Sequence, residues 1–268
     1  MKAYTIHSPV GDPLPVVASI PHGGTALPRG YGERMASDAM RALPMTDWHL
    51  PTLFDFLPAL GVTVIAAEVS RFVIDLNRPP DGEALYPGRF ETGLVPLEGF
   101  DGAPVFSEPP TDDEIAQARC DIYEPYHSAL ALICERRREA FGVIQLDLHS
   151  VTPHANRISG PLTQDIMLGD RDGASCETWL TEAVREAYAQ AGFSVTRNNP
   201  YKGGWITESA GRRPGVQALQ IEMNWAVYMD PDQPAAAVAA PQFDVASERL
   251  RSVFEMLLPA VCARLRQE

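Results

Sequence analysis

Gly142-Val143-Ile144-Gln145-Leu146-Asp147-Leu148-His149-Ser150 is an apolar run that passes directly into a carboxylate, an imidazole and a hydroxyl. Its short apolar core reads as a buried strand. Two other segments follow the same plan. Pro15-Val16-Val17-Ala18-Ser19-Ile20 leads into Pro21-His22-Gly23-Gly24, and Val216-Gln217-Ala218-Leu219-Gln220-Ile221 leads into Glu222-Met223-Asn224. In an open α/β sheet, ligands bind beyond the carboxyl ends of the strands. Three strand ends carrying His, His and Glu are the parts of a hydrolytic zinc site.

Working outward, residues 46–60 place Trp48, Leu53, Phe56, Leu57 and Leu60 at helical spacing, with Pro51 in the first turn and Gly61 as the stop. Val62-Thr63-Val64-Ile65-Ala66-Ala67 reads as a strand. Thr111-Asp112-Asp113-Glu114 has the form of a capping box, which predicts a helix running to about Ala140, bent at Pro125. Ser175 to Gln190 is an amphipathic helix, Phe193–Thr196 a short strand, and residues 242–266 the last helix. Strands alternating with helices predict an α/β fold, a three-layer α/β/α sandwich, formed as a single domain over residues 1–268. Long loops are expected at 79–110, 151–174 and 198–214, on one side of the sheet as a lid over the site. The first is rich in Pro and Gly, yet Tyr86, Phe90, Phe100 and Phe106 favour an ordered, functional loop. Ala235–Ala240 is a short Ala-rich turn region.

The 268 residues are 45% hydrophobic, an ordinary globular composition with enough apolar surface for a sizeable core. A net charge of -13 argues against nucleic acid and anionic membrane surfaces, which need basic patches. It leaves room for a small anionic substrate, which responds to the local field of its pocket. No apolar stretch approaches the ~20 residues that span a bilayer, and the N-terminus lacks the apolar region of a signal peptide, so a cytoplasmic location is expected. Cys120, Cys134, Cys176 and Cys262 form no Cys-x-x-Cys pair and fit neither a structural zinc site nor a disulfide framework.

A catalytic zinc takes three protein ligands and keeps one position open. His22 and His149 are the natural imidazoles. Asp47 is the choice for the third ligand, with His49 as the alternative; Asp47 would serve equally well as a helix N-cap. Glu222 can act as general base, or as a strand-end partner in an ion pair. Asp147 is placed to orient an imidazole. Arg71 and Arg78 flank Phe72-Val73-Ile74-Asp75-Leu76-Asn77, where a guanidinium can bind a carboxylate or a developing oxyanion, or pair with Asp75 or Glu68. His7 and His127 have no supporting context, and His154, in the loop after His149, is within reach of a substrate.

Taken together, Ile20-Pro21-His22-Gly23-Gly24, Thr46-Asp47-Trp48-His49, Ser70-Arg71 through Asn77-Arg78-Pro79-Pro80, Leu85-Tyr86-Pro87-Gly88, Asp147-Leu148-His149-Ser150, Asp172–Cys176, Tyr201-Lys202-Gly203-Gly204-Trp205-Ile206-Thr207 and Gln220-Ile221-Glu222 resemble the N-formylglutamate amidohydrolase family. The resemblance runs from about residue 15 to residue 230. It implies kinship with the zinc carboxypeptidases and aspartoacylases, hence a mixed, mostly parallel sheet and one zinc or other divalent ion. It implies His22 and His149 as metal ligands, Arg71 for the oxyanion and substrate, Asn77 and Arg78 as the clamp on a substrate carboxylate, and Glu222 as the base. Those relatives carry a Glu three residues after the first His; here Thr25 stands there, which moves the second ligand to Asp47. The implied reaction is hydrolysis of N-formyl-L-glutamate to formate and L-glutamate, the last step of one histidine-degradation route. The substrate's second carboxylate calls for another cation. Lys202, Arg89 and Arg157 are the candidates, with Lys202 first because two glycines follow it. The alternatives are another N-acyl or N-formimino amino acid or a peptide as substrate, or a non-catalytic binding protein on the same fold.

Overall fold

In the computed structural model, which describes residues 1–138, 141–235 and 241–267, the strands are β1 (Tyr4–His7), β2 (Val16–Ile20), β3 (Thr63–Ala67), β4 (Val143–Val151), β5 (Ile166–Gly169), β6 (Val195–Arg197) and β7 (Val216–Asn224). They form one sheet in the order β1-β3-β2-β4-β7-β5-β6. The neighbours β3, β2, β4 and β7 run parallel; β1 joins β3 antiparallel and β5 joins β7 antiparallel. The helices are α1 (Asp38–Arg41), α2 (Leu50–Leu53), α3 (Asp112–Ala118), α4 (Glu124–Arg137), α5 (Thr178–Gln190), α6 (Trp205–Gly211) and α7 (Gln242–Leu265).

Every residue of β2, β3 and β4 is buried, as expected for strands covered on both faces. Side chains alternate between faces along a strand. Ile144, Leu146 and Leu148 join Val16, Ala18, Ile20, Leu219 and Ile221 in a core with Leu50 of α2, Leu180 of α5 and Phe254 of α7. Val17, Ile65 and Val143 pack on the opposite side with Tyr126 and Leu130 of α4 and Ile206 of α6. The three-layer sandwich and the mixed, mostly parallel sheet are therefore as expected. The α4/α6 face also carries a buried polar file, Ser19, Gln145, Asp147 and His149, with Gln220 and Glu222 beside it in register.

The chain turns from β2 to β3 on one side and places β4 on the other. The carboxyl ends of β2 and β4 thus flank a switch point, the crevice where α/β sheets bind ligands. β4 and β7 run two residues or more past the polar positions, so His149 and Glu222 lie inside strands rather than just beyond them.

Some local expectations are corrected. Residues 46–60 are not one helix: α2 and a 3-10 turn at Leu57–Leu60 each carry a proline as their second residue, Pro51 and Pro58. A proline in mid-helix removes a donor and clashes with the preceding turn, so Pro58 divides the segment. The capping box at Thr111 and Glu114 is formed as read. The bend expected at Pro125 is a π-helical turn at Arg119–Tyr123, which absorbs the hydrogen bond that Pro125 cannot donate. β5 and α6 lie within segments read as loops, and β1 went unread. The expected helix end at Ala140 and most of the Ala-rich turn at 235–240 lie outside the described residues.

Candidate active site

His22, Asp47 and His149 converge from three different segments. His22 follows β2 by two residues, and the backbone N–H of Asp47 donates to its carbonyl oxygen at 3.0 Å. Gly24 lets the chain turn closely against residues 68 and 69: a Cβ there would stand 2.5 Å from the Val69 carbonyl oxygen. Asp47 caps no helix. Its Oδ2 lies 3.8 Å from His22 Nδ1 and 3.1 Å from His149 Nδ1, and it accepts the backbone N–H of Ser150 at 3.2 Å. One ligand atom from each of the three residues lies within 4.8 Å of the others.

The far nitrogen of each imidazole faces a carboxylate. His22 Nε2 donates to Asp75 Oδ1 at 2.7 Å, and His149 Nε2 lies 3.3 Å from Asp147 Oδ2. An ionised carboxylate only accepts, so His22 carries its proton on Nε2 and keeps the Nδ1 lone pair toward Asp47. Burial, aided by Arg71, lowers the pKa of His22 and keeps it neutral. Burial also works against charge on His149, but Asp147 and Asp47 outweigh it and hold the pKa well above the ordinary imidazole range. Two imidazoles and a carboxylate, with a carboxylate behind each ring, are the donor set of a one-metal site. These three residues fit a single divalent cation.

His49 stands apart from this group, with its Nε2 3.0 Å from the Pro234 carbonyl oxygen. His154 pairs with Asp232 at the surface. Cys176 is buried, its thiol pushed up to about 11 by burial, and it lines no part of the cavity.

A cavity of about 370 Å³ opens onto the group. His22, Asp47, Arg71, Asn77, Arg78, Arg89, His149, Arg157, Lys202 and Glu222 all line it, whereas His49, Asp147 and His154 do not. The three expected loops form its walls. Arg157 ties the second to the first, through Glu98 at 2.5 Å and the Phe90 ring at 3.9 Å, and the Tyr86 hydroxyl donates to the Gly203 carbonyl of the third.

Glu222 pairs with His149 across β4 and β7. Burial pushes its carboxyl above the usual range, against the pull of His149. Gln220 donates to its Oε2 at 2.9 Å. Arg71 pairs with Asp75 at 2.6 Å, and its Nη1 has only a 3.4 Å contact with the Met45 carbonyl. Asp75 is the residue the sequence undervalued. Read only as an ion-pair partner, it holds Arg71 on one oxygen and both His22 and the Asn77 backbone on the other. Burial opposes its charge, yet Arg71, His22 and Arg78 keep the carboxyl well below its usual range.

Asn77 Oδ1 accepts the Ile206 N–H at 2.8 Å, which turns its Nδ2 toward the His149 ring, 3.0 Å from Nε2. Arg78 reaches Thr92 and the Asn77 carbonyl through all three nitrogens, leaving a second hydrogen on each Nη. Of the three outer cations, Lys202 pairs with Asp172 at 2.7 Å and Arg157 with Glu98, while Arg89 has no side-chain partner among the described residues.

Fold and site together define an α/β-sandwich hydrolase with a place for one divalent cation. The model of the N-formylglutamate amidohydrolase family matches residues 14–229, and the chain belongs to that family. It is 40% identical over 226 residues to the N-formylglutamate deformylase of Pseudomonas putida, covering 82% of this chain and 84% of that protein. The N-formylglutamate deformylase of Pseudomonas aeruginosa is 37% identical over 255 residues, 93% of each chain. The crystal structure of N-formylglutamate amidohydrolase from Ralstonia eutropha superposes with a TM-score of 0.82 at 30% identity, covering 100% of this chain and 99% of that one.

Proposed function

We propose that this chain hydrolyses N-formyl-L-glutamate to formate and L-glutamate, with one zinc ion held by His22, Asp47 and His149. The observation that carries the proposal is the convergence of that donor set with Glu222 and Arg71 on one cavity that Arg78, Arg89, Arg157 and Lys202 also line. The named relatives supply the substrate. A small anionic substrate, rather than nucleic acid or a membrane, suits this enclosed site. As a step of histidine degradation, the reaction belongs in the cytoplasm.

Bound there, the cation supplies Lewis acidity for the formyl carbonyl and the attacking water. Glu222 takes one proton from the water and returns it to the departing amine as the C–N bond breaks, so water and amide become formate and glutamate. Arg71 donates from Nη1 to the developing oxyanion. The free hydrogens of Arg78 hold the α-carboxylate, with the Asn77 NH2 beside them in the cavity wall. Arg89, without a side-chain partner among the described residues, takes the side-chain carboxylate in preference to Lys202, because a carboxylate at Lys202 would meet Asp172.

The test is formate release by the purified, zinc-loaded protein. Release from N-formyl-L-glutamate, weakened mainly in KM by R89M, supports the proposal. Zinc binding without release would point to another acyl amino acid, and neither zinc nor release to a binding protein.

A further inference from the structure

Gln220 lies on β7 two residues before Glu222, on the same face, and is 4% exposed. The Gly204 backbone N–H lies 2.8 Å from its Oε1, and Glu222 Oε2 lies 2.9 Å from its Nε2. A backbone N–H can only donate, so the amide oxygen must face Gly204. The NH2 end is thereby aimed at Glu222. Asn77 is oriented by the same device: the Ile206 N–H claims its Oδ1 and turns Nδ2 to His149. The first turn of α6 thus satisfies two of its unpaired N–H groups with side chains from the site, and in doing so sets the direction of both amides.

We infer that Gln220 is a positioning residue that aims the Glu222 carboxylate, holding Oε2 so that Oε1 is left for the water. The inference rests on Glu222 acting as the general base proposed above. No other side chain among the described residues hydrogen-bonds that carboxylate. Without Gln220, Glu222 keeps its place on the strand but loses the contact that selects its rotamer.

Q220M keeps the length and volume and removes both hydrogen bonds. It is expected to lower kcat at least about tenfold, a part of the roughly 10²–10⁴-fold that general-base catalysis contributes, with KM within about threefold and zinc content unchanged. Q220N, polar but one methylene too short to span both partners, is expected to show the same loss should Q220M fold poorly. The E222Q/Q220M double variant is expected to be no slower in single turnover than E222Q alone, because Gln220 acts through Glu222. A rise in KM at unchanged kcat would show that Gln220 only pins the loop carrying Lys202, and would overturn the inference. Multiplying effects in the double variant would overturn it as well. Full turnover in E222Q would remove the base assignment itself and the inference with it; normal kcat in Q220M beside an inactive E222Q would remove the inference alone.

Discussion

At the scale of single residues, the site is a set of carboxylates with different tasks. Asp47 faces the two Nδ1 atoms, Asp75 and Asp147 stand behind the rings, and Glu222 faces the cavity. D75N should leave the proposed ligands His22, Asp47 and His149 in place but free the orientation of His22, weakening zinc affinity by about 10–100-fold; a competition titration against a chelator reads this. E222Q should cut turnover by about 100-fold or more with zinc retained, and metal analysis of the inactive variant checks it. His22, His149 and Glu222 were legible in the sequence because each closes an apolar run. Asp75 and Gln220 were not, because their roles depend on which atoms they meet across 53 and 16 residues of chain. The order of the outer cations was equally hidden: Asp172 lies thirty residues from Lys202, and only the folded loops bring the two together.

At the scale of elements, the loops and α6 hold the site from one side of the sheet. Gly204 opens α6 and lies against Asn77, so an added Cβ would stand 2.3 Å from Asn77 Nδ2. G204A is therefore expected to displace Asn77 and to destabilise the fold by about 1–3 kcal/mol, as overpacking does. A shifted denaturation midpoint together with reduced turnover checks it. α4 carries a different constraint. His127 packs against Tyr123 at 4.2 Å and donates to the Leu76 carbonyl, and burial pushes its pKa down from 6.5 to about 4. The unfolded chain takes up this proton at higher pH than the folded one. Stability from this group is full above about 6.5 and is lost as pH falls toward 4. The urea midpoint should fall across that window, and H127Q should flatten the slope. Periodicity found the long strands and α5 because their burial follows one rule along their length. It missed β1 and β5, four residues each, and joined two turns across Pro58. Strands so short take their structure from pairing with β3 and β7, which local sequence does not carry.

At the scale of the whole molecule, an acidic chain surrounds a cation-lined cavity. The net charge is -13, while Arg71, Arg78, Arg89, Arg157 and Lys202 line the site. The local field, not the total charge, governs a small anion, and salt screens it within ~30 Å at 0.01 M but ~8 Å at 0.15 M. KM for the dianion N-formyl-L-glutamate should rise across that range more steeply than for N-formyl-L-glutamine, with thermal stability little changed. The central claim is that His22, Asp47 and His149 hold the ion on which hydrolysis depends. The most direct measurement is formate release from N-formyl-L-glutamate by protein stripped with a chelator and then titrated with zinc. Release should be lost on stripping and return in full at about one zinc per chain. Full activity in the stripped protein, or none at any zinc level, would contradict it.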